Sequence, residues 1–411
     1  MSTTVTLDRA DEVLHRLLGT EEGRQDPYPH YRELRQIAPF YKSGLDGLWY
    51  ASRYDDCKAV LVDPRCGRSQ GRLVNRHGTN PAMNERFVRR MRHTMLLQNP
   101  PEHTRLRGIV SRAFTPRRVA ELRPRIVELL DPLLDHMAEA REVDVMKVLA
   151  FRLPVAVIGE LVGVPPEDRE QFREVGRTLQ AASEPDAPPE LLAAADRAAE
   201  HQEAYFFELV ARRRAEPTGD LLSALIELRD AGGPLSEEEM VATARLLFGA
   251  GFVTTTNLIG NGLLTFFRHP GEMRRLWENP ELATTAVDEI LRYESPIQSN
   301  GRTVFETMEV AGQRLEPGDS VITLVGGANR DPLRFTDPER FDIGRREEMP
   351  LSFGWGIHHC LGAPLARLEG QVVFSRFVDR FASMELAGPE PRWNTSFLRG
   401  LDTLPVRVTP R

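Results

Sequence analysis

No proline interrupts the chain between Pro234 and Pro270, and that stretch constrains the fold more than any other. It opens with Ser236-Glu237-Glu238-Glu239 directly after Gly232-Gly233-Pro234. A serine cap with a glutamate three residues on is the pattern in which side chain and backbone satisfy each other's free donors at a helix start. A helix over this stretch spans roughly 50 Å at about 1.5 Å per residue, enough to cross a whole domain. From Leu246 to Leu258 it is apolar on almost every side, which predicts burial. At its centre, Gly249-Ala250-Gly251-Phe252-Val253-Thr254-Thr255-Thr256-Asn257 places glycines and threonines where helix propensity disfavours both. Close helix packing explains an isolated Gly-x-Gly. The run of hydroxyls beside it predicts a kinked, opened turn that faces a polar partner.

Toward the C-terminus the chain reads Phe353-Gly354-Trp355-Gly356-Ile357-His358-His359-Cys360-Leu361-Gly362, then enters the helix-forming run Ala363 to Glu369. Glycines let such a loop turn sharply and approach a flat partner, and its N–H groups can point at a sulfur and stabilise negative charge. The helix start beside Cys360 adds its positive dipole end, which lowers a cysteine pKa. A lone cysteine is more often an inert buried hydrophobe. The full Phe-Gly-x-Gly-x-His-x-Cys-x-Gly string instead predicts a thiolate held out for a metal.

Composition narrows the class. The 411 residues are 41% hydrophobic, enough for a large core, and no low-complexity linker or internal repeat divides them. The 3 cysteines, Cys57, Cys66 and Cys360, are too few and too odd for a disulfide framework and point to a reducing compartment. The N-terminus lacks an apolar signal core, and no run of eighteen apolar residues occurs, so a cytoplasmic protein without a membrane anchor is expected, with a short flexible N-terminus over about residues 1–20. A net charge of -7 gives no reason to expect nucleic acid.

The cysteine loop resembles the haem-ligand loop of the cytochrome P-450 family, and landmarks along the rest of the chain follow that family's order from about Pro27 to Pro405. Glu289-Ile290-Leu291-Arg292 matches the family's buried structural pair, carried here by Glu289 and Arg292. Val304 to Arg314 and Ser320 to Leu324 read as short strands, and Ala328 to Phe335 followed by Pro338 to Asp342 is similar to the meander before the cysteine loop. The resemblance implies a single mainly α domain, residues 1–411, with a smaller β-rich part and a central helix crossing over the haem. It implies haem b ligated by Cys360, with Phe353, Gly354 and Gly362 of the loop also binding the cofactor.

Further positions follow from the same resemblance. In Asn99-Pro100-Pro101-Glu102-His103-Thr104-Arg105-Leu106-Arg107, His103 and Arg107 are four apart and share a helix face, which suits two oxygens of an anion. With Arg302 and His358 they occupy the family's positions for the haem propionates. Asn99 stands where related chains usually carry aspartate, and His359 receives no role. On the central helix the family reads Ala-Gly-x-acid-Thr, whereas this chain reads Ala250-Gly251-Phe252-Val253-Thr254. Thr254 keeps the hydroxyl, Thr255 adds another, and the acidic proton relay is replaced by Val253.

A proximal thiolate favours O–O cleavage of dioxygen once two electrons arrive. The leading expectation is therefore a haem-thiolate monooxygenase, hydroxylating or epoxidising a secondary-metabolite-like molecule, monomeric, with NAD(P)H electrons arriving through a ferredoxin and its reductase. Val253 motivates an alternative in another haem-thiolate reaction class, such as oxidative coupling or nitration, or in a carrier-bound substrate. A non-catalytic family member is a third reading. By family position the substrate pocket takes in Leu96, Leu97, Leu246, Leu247, Val253, Ile297, Phe397 and Leu398. Arg72, Arg76, Arg86, Arg89, Arg90 and Arg92 read mainly as a solvated face, one of them a candidate for a substrate carboxylate or carrier phosphate. Arg105, Arg112, Arg117, Arg118, Arg123 and Arg125 concentrate positive charge suited to an acidic ferredoxin.

Overall fold

The capping box forms as the sequence predicts. Ser236 Oγ accepts from Glu239 N–H (3.1 Å), Ser236 N–H donates to Glu239 Oε2 (3.0 Å), and a helix runs Glu237–Arg268. The computed structural model describes residues 3–68, 91–184 and 187–411, with side chains from Asp8 onward. The central helix is surrounded by the helices Arg152–Val162, Pro189–Ala215, Ala283–Tyr293 and Ala363–Arg380. Their apolar faces merge in one large core that includes Phe248, Phe252, Leu258, Leu263, Ile290 and Phe374.

The helix is continuous through Gly249–Asn257, contrary to the opened turn expected there. Gly251 serves close packing instead: a Cβ at this position would lie 2.5 Å from Ile158 Cγ1. The hydroxyls of Thr254 and Thr255 donate to the carbonyls four residues back, Ala250 O (3.0 Å) and Gly251 O (3.1 Å), so they are satisfied within the helix.

The β-rich part is a five-stranded sheet ordered Phe40–Lys42, Trp49–Ala51, Ser320–Thr323, Asn300–Val304 and Cys66–Gly67. Only the pairing of Trp49–Ala51 with Ser320–Thr323 is parallel. Its register places Gly67 opposite Thr303 and Arg302 opposite Val321. Two hairpins, Met308–Val310 with Gln313–Leu315 and Trp393–Thr395 with Gly400–Leu401, and a three-stranded sheet of Glu142–Asp144, Pro405–Pro410 and Phe381–Leu386 complete it.

Thr3–Gly19 is a helix whose Ala10, Val13, Leu14 and Leu17 are buried against Tyr31 and Leu34 of the helix Tyr28–Ile37. The spacing of those four positions gives the helix one apolar stripe, and burying that stripe is what fixes it.

Candidate active site

Cys360 is presented by the loop between the short helical turns Leu351–Phe353 and Gly356–His358 and the helix Ala363–Arg380. Gly354 and Gly356 take φ of +66° and +71°, which a side chain would strain, and Cys360 N–H donates to Phe353 O (2.9 Å) to close the loop. Cys57 and Cys66 are buried, whereas Cys360 is exposed. The thiol is open on one side and crowded on the others. That crowding pushes its pKa up, while N–H groups of Gly362 and Ala363 directed at the sulfur, with Arg107 and Arg367 nearby, pull it back down. Such a thiol is neutral alone and becomes a thiolate when a metal supplies the opposing charge.

Arg367 is held by Asp288 (2.7 Å) and lies over the Phe353 ring (4.6 Å), so Phe353 and Arg367 together form one wall beside the sulfur. Arg107 Nη2 donates to His359 O (2.7 Å), which gives His359 a role the sequence did not suggest: its carbonyl ties the helix Glu102–Val110 to the cysteine loop.

The four positions expected to hold carboxylates converge. The rings of His103 and His358 lie 4.3 Å apart at 54°. His103 and Arg302 are each 2% exposed, yet Nε2 of both His103 and His358 has no hydrogen-bond partner among the described residues. Burial, followed by repulsion from Arg68, Arg302, His103 and Arg107, pushes His358 down to about 2. Burial, followed by Arg68, holds Arg302 well below the usual guanidinium range.

Arg68 is the member that sequence reasoning missed. Its Nη1 donates to Gly301 O (3.2 Å), the same oxygen that accepts from Arg302 Nη1 (2.9 Å), and its Nε is buried without a partner. Among the described residues no carboxylate pairs with Arg68, Arg107 or Arg302. Like charges this close cost on the order of a few kcal/mol at an effective dielectric of about 20 unless an anion intervenes. A flat dianionic cofactor with a metal at its centre fits what these residues demand: orphaned donors for its carboxylates at one edge and a thiol for the metal.

Glu289 and Arg292 are almost fully buried, and Arg292 Nε and Nη2 meet both carboxylate oxygens (2.7 and 2.8 Å). Arg292 also donates to the carbonyls of Asn329, Pro338 and Arg340, and Glu289 accepts from Asp342 N–H (2.8 Å), so the pair anchors the segment leading to the cysteine loop.

On the central helix Leu246, Ala250 and Thr254 share an open face. Leu247 lies in the main core, 7% exposed. Val253 packs upward toward Gly176 of the helix Phe172–Ala181. Ile297 and Leu398 bridge as isolated β partners, Gln298 N–H donates to Phe397 O (3.1 Å), and Asn257 Nδ2 donates to Leu398 O (3.1 Å). A buried ion pair, Arg399 with Glu294 (2.5 Å), fastens the two segments from behind. Leu96 is half-buried and Leu97 buried, in the turn that leads to His103. Arg72, Arg76, Arg86, Arg89 and Arg90 lie outside the described residues.

Of the basic residues expected on the docking face, several are spent on neighbours. Arg105 pairs with Glu239, Arg117 with Glu121, and Arg125 with Glu160 and Glu128. Arg112 and Arg118 are exposed.

Fold and site together define a haem-thiolate protein. The Cytochrome P450 family profile matches residues 188–401. The polyketide biosynthesis cytochrome P450 PksS of Bacillus subtilis is 38% identical over 390 residues, covering 94% of each chain. The cytochrome P450 monooxygenase PikC of Streptomyces venezuelae is 39% identical over 392 residues, 93% of this chain and 91% of that one. Among solved structures, P450BioI in complex with an acyl carrier protein ligated to hexadec-9Z-enoic acid superposes with a TM-score of 0.86 at 36% identity, covering 97% of this chain and all of the other. The chain belongs to the cytochrome P450 family, and is an oxidoreductase of the monooxygenase type. No helix among the described residues is long and apolar enough to cross a membrane.

Proposed function

We propose that this protein is a haem-thiolate monooxygenase that inserts one oxygen atom from dioxygen, by hydroxylation or epoxidation, into a secondary-metabolite-like organic molecule. The observation that carries the reading is the convergence, at one site, of the Cys360 thiol with its N–H donors and a buried cluster of cations that lacks any anion among the described residues. Haem bound there supplies dioxygen activation, driven by the electron donation of a thiolate. Cys360 ligates the iron, and His103, Arg107, Arg302 and His358 hold the propionates. Leu246, Ala250, Val253, Ile297, Phe397 and Leu398 form the substrate boundary and exclude water.

Thr254, and after it Thr255, is the group on this chain that orders a proton-carrying water. Its hydroxyl already donates to Ala250 O, which leaves its oxygen free to accept. Electrons reach the site from NAD(P)H through a separate ferredoxin and reductase that dock on the face carrying Arg112 and Arg118, and the enzyme works in the cytoplasm as a monomer. The name of the relative PksS supports the secondary-metabolite class.

A second reading rests on Val253. With no acid at that position, a reaction that needs fewer protons, such as oxidative coupling or nitration, is accommodated by the same residues. P450BioI, solved with a loaded carrier protein, supports keeping a carrier-bound substrate among the candidates. The deciding experiment has two parts. A carbon monoxide difference spectrum of the reduced protein should show the thiolate-type band, and titration with candidate intermediates should shift the haem spin state. Absence of the band rejects both enzyme readings.

A further inference from the structure

Arg68 sits at the end of the edge strand Cys66–Gly67, in a position fixed by more than strand pairing. Asn99 holds its backbone from both sides: Arg68 N–H donates to Asn99 Oδ1 (2.8 Å), and Asn99 Nδ2 donates to Arg68 O (2.5 Å). Only an amide can make both contacts, because a carboxylate has no hydrogen to give the Arg68 carbonyl. Asn99 therefore does chemical work that the aspartate usual in related chains does not do. Gly67 lets it come this close, since a Cβ there would lie 2.4 Å from Asn99 Oδ1.

Held in this way, the Arg68 guanidinium shares Gly301 O with Arg302 and keeps a buried Nε with no acceptor among the described residues. That shared carbonyl places it in the same cradle as Arg302, and its charge also lowers the pKa of the buried His103 and Arg302. Burial pushes its own pKa down to about 10, with no anionic neighbour among the described residues to offset it. Three permanent cations, Arg68, Arg107 and Arg302, thus line the cradle in which two propionate carboxylates would bind.

We propose that Arg68 is an additional guanidinium ligand of the haem propionates, presented by the side chain of Asn99. The proposal rests on the haem-thiolate reading above. Arg68 and Arg302, side by side over one carbonyl, grip one edge of the cofactor, while Arg107 reaches the cysteine loop. The excess positive charge at this edge favours the reduced iron, so Arg68 also raises the ferric/ferrous potential. The competing assignment for the same guanidinium is a carboxylate on the substrate.

The test uses the holoenzyme and its Arg68→Gln, Arg68→Lys and Asn99→Asp variants, without substrate. Haem transfer to excess apomyoglobin and the ferric/ferrous midpoint potential are measured for each. Arg68→Gln should lose haem about ten-fold or more faster and have a lower potential. Arg68→Lys should keep most of the potential, since it keeps the charge, yet lose haem faster than the parent because it lacks the planar fork. Asn99→Asp should fall between the parent and Arg68→Gln on both readouts. Haem loss and potential unchanged in Arg68→Gln overturn the proposal in favour of a substrate carboxylate, and so does a potential in Arg68→Lys as low as in Arg68→Gln. If Arg68→Gln retains too little haem to study, Arg68→Lys and Asn99→Asp decide the matter alone. A parent without the thiolate-type carbon monoxide band reveals failure of the underlying reading before any variant is made.

Discussion

Val253 faces Gly176 across two helices: a methyl group placed on Gly176 would lie 3.4 Å from Val253 Cγ2 and 2.8 Å from Phe252 Cε2. The position where the family places an acid is thus an apolar contact between the central helix and the helix Phe172–Ala181 above it. An unpaired carboxylate there would be desolvated and held protonated. Val253→Asp should therefore cost on the order of 2 kcal/mol in urea unfolding of the holoenzyme. Gly176→Ala should cost about 1–3 kcal/mol by overpacking against Phe252. If Val253→Asp is neutral in unfolding, the two helices are not packed in solution as they are here.

The Glu289–Arg292 pair fails differently. Its charges are 1–2% exposed and satisfy several backbone groups besides each other. Removing one partner leaves the other as an unpaired buried charge, a loss of about 3–5 kcal/mol. Glu289→Gln should lower the unfolding free energy by that amount and shed haem as the cysteine-loop segment loosens. Thermal unfolding with the haem band monitored separates the two effects. Wild-type stability in Glu289→Gln would remove the pair from its anchoring role.

Local rules carried the sequence reading where structure is made locally. The capping box at Ser236 needs only neighbours three residues apart, and the Cys360 loop needs only its glycines. Arg68 was not legible because its importance comes from strand Cys66–Gly67 lying beside Asn300–Val304, more than two hundred residues on, and from Asn99 arriving from a third segment. The stripe Ala10, Val13, Leu14 and Leu17 has helical spacing in the sequence, but its partners Tyr31 and Leu34 are fixed only by the way the chain packs.

Glu369 offers a test of burial through pH. It is 1% exposed in the helix after Cys360, and its Oε2 has no hydrogen-bond partner. Burial raises its pKa well above the ordinary carboxylate value, so the folded protein keeps the proton that the unfolded chain releases above about 4.3. Its contribution to stability is whole below that pH and declines as pH rises toward the folded-state pKa, by up to about 1.4 kcal/mol per unit. Glu369→Gln removes the decline. Its advantage over the parent in chemical denaturation should vanish near pH 4 and grow from pH 5 to 8. A constant difference across that range would mean that Glu369 is ionised in the folded state.

Cys360→His separates ligation from fold. Imidazole binds iron but donates less electron density than thiolate, so this variant should retain haem and lose oxygen-dependent turnover, with the thiolate-type carbon monoxide band gone. Replacing the buried Cys57 or Cys66 by serine should leave the band in place, since neither lies in a glycine loop. Arg107→Ala and Arg302→Ala should each lower haem affinity by about 1.5–3 kcal/mol, read as reduced haem occupancy. Full occupancy in both would remove these arginines from the cofactor cradle.

With Val253 turned into an apolar contact, proton delivery falls to Thr254, an ordered water and the substrate's own hydroxyls. Loss of a positioned proton donor costs a factor of about a hundred or more in a general-acid step. Thr254→Ala should therefore consume NAD(P)H with little product and release the reducing equivalents as hydrogen peroxide. Parent enzyme given analogues that lack the substrate's hydroxyls should show the same uncoupling to a lesser degree. Thr255→Ala tests whether the neighbouring hydroxyl shares the work; it is buried and already donates to Gly251 O, so the expected effect is smaller. The measurement is product formed per NAD(P)H oxidised, with peroxide assayed in parallel. If Thr254→Ala couples as well as the parent, protons do not pass through this residue, and the reaction classes that need fewer of them become the better account of Val253.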